Sequence, residues 1–286
     1  MGDDRLAADV AALERAAKFA EAARAGTLAV FADFDRTVTR SFLADGGRGC
    51  SSHGVLEGAS LLSQQCRDRA SELFNKYYPV EIDAKMSIEE KIPIMNEWYE
   101  QMHALLLKED LTREKIRQTV ADCASIQLRD GMTDFLQKCQ DALPPIPVVI
   151  MSAGLGDVID DFLRQSLPFE LKPTTIVVSN RMTFDQNGIL VGFSEPLLHM
   201  YNKTASFMPE AERKLVEGKT CCLLIGDSTG DLTMADGLEA DKLRVGLLNE
   251  KVEERLQQYQ ELFDFVSIND APLPEICFRA IGVEQT

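Results

Sequence analysis

Leu28-Ala29-Val30-Phe31-Ala32-Asp33-Phe34-Asp35-Arg36-Thr37 is the stretch that decides the fold. Its five leading apolar residues are too few for a helix and suit a strand buried on both faces. Two aspartates follow at once, separated by a single phenylalanine. Similar apolar runs recur at Ile146–Met151, Thr175–Val178, Cys221–Ile225 and Leu243–Leu248, with helical stretches between them that include Asp157–Gln165 and Glu250–Leu262. An Ala-rich helix over residues 5–24, ended by Gly26, precedes the first run. Strands alternating with helices predict an α/β fold built on a doubly wound parallel sheet. Ligands of such sheets sit beyond the carboxyl ends of the strands, so the residues just after each run are the candidates for chemistry.

Well over a hundred residues separate Asp35 from Ser152, which follows the second run. A crossover between neighbouring parallel strands needs only about a dozen. The excess reads as helical, over Leu56–Lys76, Ser87–Lys108 and Thr112–Leu128, and Ser87-Ile88-Glu89-Glu90 has the pattern of a capping box. The chain is therefore expected to comprise a core of residues 1–41 and 136–286 with an inserted helical cap of residues 42–135 over the mouth of the sheet. A smaller excursion is the hairpin expected around Asp185-Gln186-Asn187-Gly188, where Asn-Gly offers the positive φ angles of a tight turn.

Charge narrows the function classes. The 286 residues carry 30 Lys+Arg against 46 Asp+Glu, a net charge of −16, which disfavours binding that depends on neutralising nucleic-acid phosphates. No apolar run approaches a membrane span, and the acidic start, Met1-Gly2-Asp3-Asp4-Arg5-Leu6, matches neither a secretion signal nor a myristoylation site. Seven cysteines, odd in number and scattered, are expected to be reduced thiols of a cytoplasmic protein. A monomer or weak dimer is expected. Asn202-Lys203-Thr204 formally fits the glycosylation sequon and is read as chance.

Two carboxylates at one strand exit, Asp33 and Asp35, repel each other unless a proton or cation is present, although a solvated acidic turn has the same composition. Gly226-Asp227-Ser228-Thr229-Gly230-Asp231 repeats the theme after the fourth run. Three or four carboxylates at one sheet edge call for a hard divalent cation, and oxygen ligation suits Mg²⁺. Zinc has little to draw on, since only three histidines, His53, His103 and His199, are present and no Cys-x-x-Cys occurs. Each histidine is expected to be packed or solvated rather than a ligand. After the second run, Ser152-Ala153-Gly154-Leu155-Gly156-Asp157 reads as a small-residue turn into a helix, a shape that cradles phosphate and also arises for packing alone. Lys203 is a candidate cation for that phosphate.

In this order, Asp33-x-Asp35-x-Thr37-x-Thr39, a serine after an apolar strand, Lys203 and Gly226-Asp227-x-x-x-Asp231 resemble the motifs of the haloacid dehalogenase superfamily. Over about residues 25–280 the likeness is closer. Lys76-Tyr77-Tyr78-Pro79-Val80-Glu81-Ile82-Asp83, Glu97-Trp98-Tyr99, Val178-Ser179-Asn180 and Met234-Ala235-Asp236-Gly237 look like the cytosolic type III, or pyrimidine, 5′-nucleotidases, some of which prefer 7-methylguanosine monophosphate. The resemblance implies Mg²⁺-dependent hydrolysis of nucleoside 5′-monophosphates on a haloacid dehalogenase-like core. Asp33 would be the nucleophile forming an aspartyl-phosphate, and Asp35 the acid and base. Asp33, the Asp35 carbonyl and Asp227 would hold the metal, with Asp231 and Thr37 behind them. Ser152, Ala153 and Lys203 would bind phosphate, and Glu81 would accept hydrogen bonds from the base. Met102 stands where the family pattern has a serine before His103, which removes a hydroxyl contact and leaves the base preference open. A phosphatase of another small monoester such as phosphoserine, or a silent nucleotide-binding protein, is the alternative.

Overall fold

The computed structural model describes residues 2–81, 83 and 85–283, residues 2–10 by backbone alone. Met1 and Ile82 of the quoted segments lie outside the described residues. The order is α1 (Gly2–Arg24), β1 (Leu28–Ala32), α2 (Ser52–Glu57), α3 (Gln64–Glu81), α4 (Ile88–Leu106), α5 (Arg113–Asp122), α6 (Met132–Asp141), β2 (Val148–Leu155), α7 (Gly156–Ser166) and β3 (Thr175–Asn180). There follow β4 (Met182–Phe184), β5 (Leu190–Phe193), α8 (Glu210–Arg213), β6 (Cys221–Gly226), β7 (Asp241–Leu248), α9 (Val252–Leu262), β8 (Phe265–Ile268) and α10 (Glu275–Ala280). Six strands form one parallel sheet in the order β3-β2-β1-β6-β7-β8.

The period of two explains why β1 is apolar throughout. Leu28, Val30 and Ala32 pack into the core on one face, with Phe135, Ile159 and Phe278, while Ala29 and Phe31 join Leu198, Met208 and Met234 on the other. Strand order reverses between β1 and β6, whose register sets Ala32 opposite Ile225. Asp33 and Asp227 therefore leave adjacent strands at the crevice where a doubly wound sheet receives its ligand.

The insertion between β1 and β2 has two layers. Val55, Leu56, Ile116 and Val120 share the hydrophobic cluster of the sheet, whereas Ala70, Leu73, Tyr77, Met95 and Met102 of α3 and α4 make a small core of their own. The expected helix over Leu56–Lys76 is broken into α2 and α3, and the one over Thr112–Leu128 stops at Asp122. Ser87 and Glu90 form the expected capping box. Both ends of the insertion are tied together, with Thr39 bridging Leu128, Arg40 N–H donating to the Gln127 carbonyl at 2.9 Å and Arg129 N–H to the Val38 carbonyl at 2.9 Å.

The β4–β5 hairpin lies where Asn-Gly placed it, but only Gly188 takes a positive φ (76°). Asn187 is spared because the Asp185 side chain accepts from the backbone N–H groups of Asn187 (2.9 Å) and Ile189 (2.8 Å) and closes the turn. The sequence pattern does not predict β8, whose four residues are half-buried at the sheet edge and too few for a periodic signal. All seven cysteines are unpaired. Among the described residues, no helix is long and apolar enough to cross a membrane.

Candidate active site

Asp33, Asp35, Glu81, Ser152, Ala153, Lys203 and Asp227 all line one cleft of about 390 Å³, within the ~300–1,000 Å³ of small-molecule sites. Thr37 and Asp231 are fully buried beside it. Asp33 extends the β1 ladder, donating its N–H to the Ile225 carbonyl at 3.0 Å. The chain then makes a single wide turn over Phe34–Val38 with Arg36 left-handed at φ 65°, an arrangement that stores strain and brings Asp35 back over the sheet edge.

Lys203 is buried and ion-paired to both Asp33 and Asp231, the second pair at 3.0 Å. Its loop is pinned by Asn202, whose amide accepts from His199 N–H at 2.7 Å and donates to the Leu197 carbonyl at 2.8 Å. Asp231 accepts from the N–H (2.9 Å) and hydroxyl (2.8 Å) of Ser228. Gly226 makes this possible, because a Cβ there would lie 2.3 Å from the Asp231 side chain.

Ser152-Ala153-Gly154 is not the turn expected from its composition. It continues β2 through a register shift between Met151 and Leu155, and α7 starts only at Gly156. Side chains of β3 take its carbonyls, Ser179 bonding Gly154 O and Asn180 bonding Ala153 O, both at 2.8 Å. So held, the bulged strand end presents Ser152, Ala153 and Gly154 to the cleft.

Carboxylate oxygens of Asp33, Asp227 and Asp231 lie within 4.8 Å of one another. Burial, with help from Asp231, pushes the Asp227 carboxyl up to about 7. Burial also raises Asp33 well above the usual carboxylate range, Lys203 opposing and Asp231, Asp227 and Asp35 reinforcing. Asp35 is raised by burial against two hydrogen bonds from Ser52. Burial works against the Lys203 ammonium, yet Asp231 and Asp33 outweigh it and leave its pKa raised. One lysine thus faces a knot of carboxylates in which Asp33, Asp35 and Asp227 resist ionisation, and the all-oxygen donor set fits a hard divalent cation. Among the described residues, the buried Thr37 hydroxyl has no hydrogen-bond partner. No histidine belongs to the cluster: His103 stacks on Phe193 at 3.8 Å and His199 accepts from Tyr201 N–H at 3.1 Å.

Above the carboxylates the cleft is walled by Phe74 and Tyr78 of α3 and Trp98, Tyr99 and Met102 of α4. Phe74 stacks on Tyr78 at 4.8 Å and meets Trp98 edge-on at 6.1 Å. Phe74 is 49% exposed, a large aromatic left at the mouth of a cleft. The spacing of Phe74 and Tyr78, four apart on one helix, was the available signal for this wall. Glu81 ends α3 beside it, its carboxyl raised by burial against Lys203 and Arg36. Ser52 and Arg129, which hold Asp35 and its turn, had no such signal.

A family model described as pyrimidine 5′-nucleotidase (UMPH-1) matches residues 36–279. The chain is 39% identical over 249 residues to the 7-methylguanosine phosphate-specific 5′-nucleotidase A of Xenopus laevis, covering 86% of this chain and 84% of that one. Among solved structures it is similar to cytosolic 5′-nucleotidase IIIB bound to cytidine, with a TM-score of 0.84 and 30% identity over 95% of this chain and 91% of that one. A HAD family hydrolase from Salmonella enterica, 14% identical with a TM-score of 0.56, covers 89% of this chain and 71% of its own and shares the fold.

Proposed function

This chain belongs to the pyrimidine 5′-nucleotidase (UMPH-1) family, and on that premise we propose that it hydrolyses pyrimidine or 7-methylguanosine 5′-monophosphates to nucleoside and phosphate. The observation that carries this reading is one cleft with a carboxylate and lysine floor and an aromatic wall. The floor suits a phosphoryl group and the wall a flat base, which phosphoserine lacks. Phosphate release across CMP, UMP, AMP, GMP, 7-methyl-GMP and phosphoserine tests it. A pyrimidine nucleotide or 7-methyl-GMP should lead, and a lead for phosphoserine would overturn the reading.

Asp33 is assigned as the nucleophile. As an Asp33 oxygen bonds to phosphorus, the bond from phosphorus to the 5′-oxygen breaks, its electron pair goes to that oxygen, and Asp35 supplies the proton with which the nucleoside leaves. Asp35, now ionised, takes a proton from the water that attacks the aspartyl-phosphate and so regenerates Asp33. Ser152, the Ala153 N–H and Lys203 hold the phosphoryl oxygens. Asp33, the Asp35 carbonyl and Asp227 would hold Mg²⁺, oriented by Asp231 and backed by Thr37, and the ion would supply the positive charge that lets one anion approach another. Dialysis against a chelator should lower turnover at least ~100-fold, and Mg²⁺ should restore it. Full activity after chelation would remove the metal from the scheme.

Within residues 42–135, α3 and α4 act as the cap over this floor while α2 and α5 pack on the sheet, and Glu81 is the cap's base-reading group. Glu81→Ala should lower kcat/KM for nucleotides by about 10- to 100-fold, the worth of a hydrogen bond to a charged acceptor, and that for phenyl phosphate by less than about 3-fold. Equal losses on both would place Glu81 outside base recognition.

A further inference from the structure

Asp35 is held by a residue of the insertion. Ser52, the first residue of α2, donates its N–H to one Asp35 oxygen at 2.7 Å and its hydroxyl to the other at 3.0 Å. Its Oγ in turn accepts the Leu155 N–H at 3.4 Å, at the end of the bulged strand. Ser52 is fully buried. Gly154 leaves just enough room, since a Cβ at that position would lie 1.9 Å from Ser52 Oγ. A carboxyl oxygen has two lone-pair sites. One donor on each oxygen therefore fixes the plane of the group and leaves the remaining site on each free to carry or receive a proton.

We propose that Ser52 is the positioning residue for Asp35, aiming its carboxyl at the 5′-oxygen of the leaving nucleoside. Ser52 itself transfers no proton. This rests on the assignment of Asp35 as the acid in the reading above, and it goes beyond that reading by giving the insertion a part in proton transfer as well as in base recognition.

The experiment compares the best nucleoside monophosphate of the panel with its 5′-deoxy-5′-thio analogue, in which sulfur replaces the bridging oxygen. A thiolate leaves without being protonated, so the analogue needs no aimed acid, while both substrates present the same base. Single-turnover release of nucleoside is measured for Ser52→Ala, which keeps the backbone N–H, and for Gly154→Ala, whose Cβ displaces the Ser52 hydroxyl. Each should slow release from the oxygen substrate about 10- to 100-fold and from the sulfur substrate less than about 3-fold, with substrate affinity little changed. The double variant should be no slower than Gly154→Ala alone, because both changes remove one interaction. Equal losses on the two substrates, no loss in Ser52→Ala, or additive losses in the double variant would each overturn the proposal. Asp35→Asn serves as the reference: if it slows both substrates alike, the assignment of Asp35 itself has failed, whatever Ser52 does.

Discussion

Asp33→Asn is expected to lower turnover by at least ~10⁴-fold, the scale on which loss of a covalent nucleophile is felt, while leaving the fold intact. The amide has the size of the carboxyl and keeps an oxygen toward Lys203, which retains Asp231 at 3.0 Å. Asp33 is buried with Asp227 and Asp231 within 4.8 Å, so a neutral side chain relieves like-charge crowding. The metal-free variant should therefore unfold at a temperature no lower than that of the metal-free parent. Acid quench during turnover should trap radiolabelled phosphate on the parent and none on the variant. Retained turnover, or label at an unchanged level, would move the nucleophile elsewhere.

Arg129→Met should cost about 3–5 kcal/mol of stability, the scale of breaking a buried ion pair from one side. Arg129 is fully buried where the insertion rejoins the sheet. It donates to the carbonyls of Thr37 (2.9 Å), Arg36 (2.6 Å) and Ala271 (2.6 Å) and to the Asn249 side chain (3.0 Å), and it is ion-paired with Asp270 at 3.0 Å. Asp270 accepts the Ser41 and Phe42 N–H groups at the other end of the crossing. Methionine fills the space but takes the donor from the Thr37 and Ala271 carbonyls and, among the described residues, leaves the Arg36 carbonyl with the Asn249 amide alone (2.9 Å) and buried Asp270 with only Arg40, 3.9 Å away, as a cation. Arg129→Lys should recover little, because an ammonium has too few donors in the wrong geometry for a planar fork. Urea unfolding monitors the change through its midpoint at constant slope. A loss below about 1 kcal/mol would mean that the network contributes little. Turnover should fall as well, since the Arg36 carbonyl held by Arg129 belongs to the left-handed residue beside Asp35.

The sheet and its catalytic edge were legible because both are written locally. Leu28–Ala32 and Cys221–Ile225 are apolar on both faces, a property of a few consecutive residues, and the aspartates follow them directly. Short amphipathic elements were legible in type but not in extent. The helix expected over Leu56–Lys76 breaks after Glu57 because Gly58 closes α2, its N–H donating to the Gly54 carbonyl at 2.9 Å, and Ser63 caps a new helix by accepting the Cys66 N–H at 3.1 Å. Ser152-Ala153-Gly154 has the composition of a turn, yet Ser179 and Asn180 hold it as strand, and no feature of the segment itself announces those partners.

Sequence by itself determined the parallel sheet, the strand ends at which chemistry gathers and the acidic residues placed there, since each follows from periodicity and spacing within one stretch of chain. Tertiary structure alone decided how those residues are aimed. Ser52 reaches Asp35 across 17 residues and Arg129 reaches Thr37 across 92, and contacts of that range are set by how the insertion closes on the sheet, which short-range patterns do not encode.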